Sequence, residues 1–312
     1  MSIRGGLHMK FAVFTDLHYD VIHDGDRRLH EFINSVKEEK IDFIIELGDL
    51  CHPTDANKHL ISELKEVGVP CFFNVGNHNS DTYSIDTVLE FFEMKNNYYS
   101  FVYGNVKFIV LDANYIKTPD RCEPYCKRNY ERTNGEYPYI PTEEIEWLKN
   151  ELIEEQYYYV ILTHQSLSND FMKRGISNRQ EIREILEKRN SSGKRVLLCM
   201  NGHDHGDDVK IINGIHYYTL NSMSYIWQGI KETFNYSEEL HNQYPSLKNL
   251  ILYHEAFHVF VTIDNNMNIQ ITGMEGHYQN ITPFDIGMEN TWNGVSIEPR
   301  TSFLYIGLDN AF

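Results

Sequence analysis

Lys10-Phe11-Ala12-Val13-Phe14-Thr15-Asp16-Leu17-His18 decides how the rest of the chain is read. A short strand-like run, residues 10–15, leads straight into an aspartate and a histidine two positions apart. The same arrangement returns four times. Residues 43–47 end at Gly48-Asp49, and residues 71–75 end at Gly76-Asn77-His78. Residues 158–163 end at His164, and residues 196–201 end at Gly202-His203-Asp204-His205. In open α/β sheets, ligands collect outside the carboxyl ends of the strands. Five strand ends therefore deliver aspartate, asparagine and histidine towards one crevice. Taken singly, Asp16 or Asp49 is more often a cap or turn residue, and His164 a hydrogen-bonded core histidine. The ordered set reverses that judgement.

Between these runs lie amphipathic segments near residues 26–39, 55–67 and 84–94. Leu29, Phe32, Ile33 and Val36 recur at helical spacing in the first. Residues 98–103 and 106–112 read as a hairpin around Gly104-Asn105, and 207–212 with 215–220 as another around Asn213-Gly214. Pro141 and Thr142 open a further helix, with Glu143 and Glu144 in its first turn. Residues 113–140 are a long aperiodic excursion, and such loops are often functional. Beyond residue 250 the chain turns to strands at 256–263 and 268–274, then to a Gly- and Asn-rich tail. The expected fold is α/β: two mixed β-sheets packed as a sandwich flanked by helices. Residues 9–312 form one domain in this reading, with 1–8 as a flexible leader and a β extension from 250.

Composition narrows the function. The chain has 312 residues, 41% hydrophobic and 23% charged, with 21 Tyr and 17 Phe, which suits a packed soluble protein. A formal net charge of -17 provides no global basic field to hold duplex nucleic acid. Bound cations would reverse that sign locally and admit a phosphate ester. The five cysteines are scattered and odd in number, which points to a reducing, cytoplasmic compartment. No run is long enough to span a bilayer.

Two metal ions held close together need one ligand with two oxygens between them, and Asp49 is the natural bridge. Asp16, His18 and one of His203 or His205 would complete one site. Asn77, His164 and the other histidine would complete the second. Such mixed nitrogen and oxygen donors suit manganese, iron or zinc. On an extended segment His203 and His205 would face the same way. His78 stands beside the metals and is the candidate to donate a hydrogen bond or proton to a leaving oxygen.

These motifs resemble the calcineurin-like metallophosphoesterases, whose pattern is D-x-H, G-D, G-N-H-[D/E], H and G-H-x-H. The resemblance runs from residue 10 to about 218 and is nearest to the branch with cyclic-nucleotide phosphodiesterases and manganese-dependent nucleotide-diphosphate hydrolases. It implies one metal on Asp16, His18, Asp49 and His205, and another on Asp49, Asn77, His164 and His203. It also implies hydrolysis of a phosphodiester or phosphoanhydride by a metal-bridging hydroxide, with His78 near the leaving group. The alternatives are a phosphomonoesterase on the same centre and a non-catalytic scaffold on the same fold. One departure stands out: Asn79 occupies the usual acidic position. Either His78 is then a weaker proton donor, or Asp81 supplies the missing carboxylate.

Two further features compete for attention. His254-Glu255-Ala256-Phe257-His258 matches a zinc-peptidase pattern that works only on a helix, whereas the β-branched run after it predicts a strand. Arg121, Lys127, Arg128 and Arg132 make the excursion locally basic, although a charge run is usually a solvated face. Asn79, Arg128 and Arg132 are the candidate substrate contacts, for a small phosphate ester with nucleotides among the candidates. Cys122 and Cys126 are read as reduced thiols.

Overall fold

The computed structural model describes residues 8–193, 195–229 and 231–307. Residues 1–7 of the expected leader lie outside the described residues. Twelve strands build two six-stranded sheets. In the first, β1 (Met9–Phe14), β2 (Phe43–Glu46) and β3 (Cys71–Phe73) run parallel. The second contains β4 (Tyr99–Tyr103), β5 (Val106–Val110), β6 (Tyr158–Thr163), β7 (Val196–Asn201), β8 (Asp208–Ile212) and β9 (Ile215–Thr219). Its order is β8-β9-β7-β6-β5-β4, parallel from β5 through β6 and β7 to β9, with an antiparallel strand at each edge. The C-terminal part returns to the first sheet as β10 (Val259–Ile263), β11 (Ile269–Thr272) and β12 (Leu304–Ile306), giving the order β12-β11-β10-β1-β2-β3.

Side-chain alternation explains the layering. Along β1, Phe11 and Val13 point into the core between the sheets with Phe43, Phe108 and Leu162, while Ala12 and Phe14 point outward. The outer face of the first sheet is covered by α1 (Gly25–Glu38), α2 (Lys58–Glu66) and α3 (Ile85–Phe91) through Leu29, Phe32, Leu60 and Val88. The second sheet is covered by α4 (Thr142–Glu151) and α5 (Arg179–Asn190) through Ile145, Leu148, Ile182 and Leu186. The sandwich expected from the sequence is the one observed. The two hairpins also form, and Asn213 and Gly214 take the left-handed φ values, 48° and 80°, that a tight turn needs.

The Gly- and Asn-rich tail supplies β12, which pairs with β11 and closes the edge of the first sheet. Two local readings change. α5 lies where no helix was expected. Residues 254–258 are irregular, and β10 begins only at Val259. His258 is buried and bonded to the Ala256 carbonyl and Ser35, and Glu255 to His277. The peptidase pattern therefore has no helix on which to work.

Candidate metal centre

All five ligand-bearing segments leave the same end of the sandwich, from β1, β2, β3, β6 and β7. Their backbone is unusual. Asp16, His18, Asp49, His203 and His205 all have left-handed φ, between 48° and 66°. Each such residue costs roughly 1–3 kcal/mol unless its surroundings enforce it. Here they do: Asp16 N donates to the Gly48 carbonyl and His18 N to that of Asp49, at 3.0 and 2.9 Å. His203 and His205 thus converge through two left-handed residues, not through the extended segment expected. The preceding glycines allow the close approach. A Cβ on Gly76 would stand 2.1 Å from Asp49 Oδ1, and one on Gly48 2.4 Å from His164 Nδ1.

Hydrogen bonds aim the donors. Asp16 Oδ2 accepts from Thr15 Oγ1 and from His203 N, at 2.6 and 2.9 Å. Asp49 Oδ1 accepts from His78 N at 2.9 Å. The other oxygens, Asp16 Oδ1 and Asp49 Oδ2, are buried without a hydrogen bond among the described residues. His164 Nδ1 bonds the Leu47 carbonyl at 2.8 Å and His205 Nδ1 that of Tyr225 at 2.7 Å, which turns each Nε2 inward. His18 Nε2 and His205 Nε2 then lie 3.4 and 3.3 Å from Asp16 Oδ1, and 3.1 Å from each other. His164 Nε2 is 3.1 Å from both Asp49 Oδ2 and Asn77 Oδ1.

Among the described residues, two groups bring their donor atoms within 4.8 Å of one another: Asp16, His18 and His205, and Asp16, Asp49 and His164. Asn77 joins the second through His164, and the His203 ring stands 5.1 Å from that of His164. Asp16 thus reaches towards both groups. Burial opposes charge on Asp16 and Asp49, yet the surrounding imidazoles outweigh it and hold both carboxyls well below the usual range. Burial likewise opposes charge on His164, but Asp49 and Asp16 push it up to about 9. Burial holds His18 and His203 below their ordinary value, as neutral donors. A buried set of carboxylates and imidazoles, with two oxygens lacking a hydrogen bond among the described residues, fits metal cations.

His78, Asn79 and Arg128 border a cavity of about 610 Å³ that also takes in His18, Asp49, Asn77, His203 and His205. His78 Nδ1 meets Asp81 Oδ2 at 2.7 Å, so the carboxylate comes from Asp81. Burial opposes charge on His78, but the bond to Asp81 and the nearby Asp49 raise it above its ordinary value. Asn79 is a buried staple and not a surface open to substrate. Its Oδ1 accepts from Gly76 N at 2.7 Å, and its Nδ2 donates to the Cys51 carbonyl at 2.9 Å. Arg128 borders the cavity with Nη2 on Asp81 at 2.7 Å, whereas Arg132 is exposed and does not line it. Tyr225 is buried against His18 and His205, and Trp227 is half-exposed on the rim. Arg174 escaped sequence reasoning because no motif surrounds it. It lines the cavity, donates from Nε to Asp204 at 3.1 Å and from Nη2 to the His203 carbonyl, and so braces the histidine pair.

The sequence profile of the calcineurin-like phosphoesterases matches residues 9–207, well over half the chain. The chain belongs to that family, whose members are metal-dependent and act on phosphate esters. A comparison with curated proteins finds no match. Among solved structures, a dimetal phosphatase from Danio rerio is 14% identical, with a TM-score of 0.60 over 88% of this chain and 99% of that one. GAP50, described as the anchor in the inner membrane complex of Plasmodium, is 17% identical, with a TM-score of 0.54 over 88% and 89%. At these identities the likeness is one of fold. No helix among the described residues is long and apolar enough to cross a membrane.

Proposed function

We propose that this protein is a dinuclear metal-dependent phosphoesterase that cleaves a phosphodiester or phosphoanhydride, with nucleotides among its candidate substrates. One observation carries the reading: Asp16 and Asp49 each commit one oxygen to a backbone N–H and aim the other, buried and without a hydrogen bond among the described residues, at inward-turned imidazoles. Asp16, His18, Asp49 and His205 would hold one ion, and Asp49, Asn77, His164 and His203 the other. Manganese, iron and zinc suit these donors. When bound, the ions supply Lewis-acid polarisation of the phosphoryl group and an acidified water.

The chain's own residues supply the rest. With Nδ1–H held by Asp81, His78 keeps Nε2 for the leaving oxygen and donates a proton to it. The contact with Asp81 supports the substitute-carboxylate reading over that of a weak acid at this position, and would bring poor leaving groups within reach. The cavity is far larger than one phosphate and carries Tyr137 and Tyr244 on its walls, which favours an ester with a sizeable second substituent. The free cysteines are consistent with a reducing, cytoplasmic setting.

The test compares bis(4-nitrophenyl) phosphate with 4-nitrophenyl phosphate on metal-stripped protein refilled with manganese. Diester cleavage that falls on the order of 100-fold in His78→Ala supports the proposal. Monoester preference would move the protein to the phosphatases. Failure to take up metal would favour a scaffold.

A further inference from the structure

The excursion at 113–140 reaches the metal centre through one buried carboxylate. Asp81, whose side chain is 2% exposed, receives three donors. Oδ2 takes His78 Nδ1 and Arg128 Nη2, both at 2.7 Å, and Oδ1 takes the Tyr130 hydroxyl at 2.6 Å. Two of the three come from the excursion. The loop is built to deliver them. Lys127 and Arg128 are consecutive non-glycine residues with left-handed φ, 51° and 52°, immediately before the short turn Asn129–Arg132. Asn129 ties that turn down by accepting from Cys126 N and donating to the Pro124 carbonyl, at 2.9 and 3.1 Å. The Tyr130 ring packs on Tyr125 at 4.5 Å, and Lys127 N donates to the Ser80 carbonyl at 3.3 Å.

We infer that Tyr130 and Arg128 are positioning residues for the reaction: they clamp Asp81, and through it fix the ring of His78 against the leaving group. This rests on the phosphoesterase reading and extends it to the excursion. Arg128, half-exposed on the cavity wall, commits Nη2 to Asp81. A carboxylate held by His78 alone would keep two torsional freedoms. Held also by a phenol and a guanidinium, it has one orientation, and the imidazole inherits it. The excursion is then a structural condition for proton donation as well as a wall of the cavity.

The experiment uses the metal-loaded full chain and pairs 4-nitrophenyl with phenyl as leaving group on otherwise identical phosphodiesters. Tyr130→Phe and Arg128→Gln should lower kcat for the phenyl ester by ~10-fold or more, because departure of phenolate needs the proton. The 4-nitrophenyl ester should lose less than about 3-fold, with KM steady for both. In an Asp81→Asn background the two changes should have no further effect, since their target is gone. Equal losses on both esters, a rise in KM alone, or full additivity with Asp81→Asn would overturn the inference. A second readout needs no turnover: the Nδ1 proton resonance of His78, assigned with His78→Ala. It should shift or broaden in Tyr130→Phe and Arg128→Gln. If it moves while no ester is cleaved by metal-loaded protein, the clamp stands and the phosphoesterase reading falls. If it does not move, the clamp falls.

Discussion

Arg28→Ala should be among the most damaging single substitutions in this protein, although Arg28 touches no metal ligand. Its side chain is fully buried in α1. Nε pairs with Asp24 at 2.9 Å, and Nη1 donates to the carbonyls of Met223 and Glu255, each at 3.0 Å. Nη2 donates to the Tyr253 carbonyl and to Gln279 Oε1. Truncation would leave three carbonyls short of a donor, at ~1–3 kcal/mol each where buried. It would also take from a largely buried carboxylate one of its two cationic partners, leaving Arg27, at less than the about 3–5 kcal/mol of a fully broken buried pair. These terms share one cavity and relax together, so the expected total is about 5 kcal/mol, a large share of a typical folding free energy. Arg27→Ala is the control: Arg27 also pairs with Asp24, at 2.5 Å, but from a partly exposed side chain, and should cost about 1 kcal/mol or less. Denaturant midpoints of the two variants decide the matter. The loss should also lower metal retention. Met223 belongs to a strap in which Ser222 and Ser224 donate to the Asp16 carbonyl while Tyr225 receives His205. A cost for Arg28→Ala no greater than for Arg27→Ala would refute the reasoning.

Other expectations follow from single contacts. Gly76→Ala places a Cβ 2.1 Å from Asp49 Oδ1 and should abolish tight binding of at least one metal, read by metal analysis after dialysis. Asn79→Asp should not improve His78. It sets a carboxylate oxygen against the Cys51 carbonyl and should cost ~1–3 kcal/mol in a melting experiment. Glu144 is buried with Oε1 on Asp112 N and Oε2 unpaired, and burial lifts its pKa well above normal. A carboxyl raised in the folded state contributes stability that is fully present below its unfolded pKa and lost as pH rises through the folded one. Glu144→Gln should therefore stabilise the protein by on the order of 1 kcal/mol near neutral pH and by much less in acid, seen as a flatter stability-against-pH curve.

The sequence made the strands and the metal donors legible because both are local. Alternation along residues 10–15 shows two buried faces, and each donor follows its strand within a few positions. What stayed hidden was long-range. β12 joins the first sheet through Ile269 and Ile306, 37 positions apart, across a Gly- and Asn-rich tail in which no individual strand was placed. α5 carries Ile182, Ile185 and Leu186 at helical spacing, but amid so many charges that the stripe is thin. Asp81, three residues from His78, is within reach of sequence reading as the substitute carboxylate. Its other partners, Arg128 and Tyr130, lie almost fifty residues away, and no periodicity announces such a meeting. Arg132 shows the opposite error, since proximity in sequence to Arg128 did not place it at the cavity.

The left-handed ligand loops carry a practical corollary. Contacts from the protein itself fix Asp49, His164 and His205: a backbone amide for the first, the Leu47 and Tyr225 carbonyls for the others. These contacts hold the donors independently of any ion's own bonds, so ions should exchange without the chain unfolding. Donors of mixed type discriminate poorly among first-row metals, so availability governs the choice. The metal inventory of a purified sample will accordingly record the medium in which the cells grew, and activity will track that history until the ions are deliberately replaced.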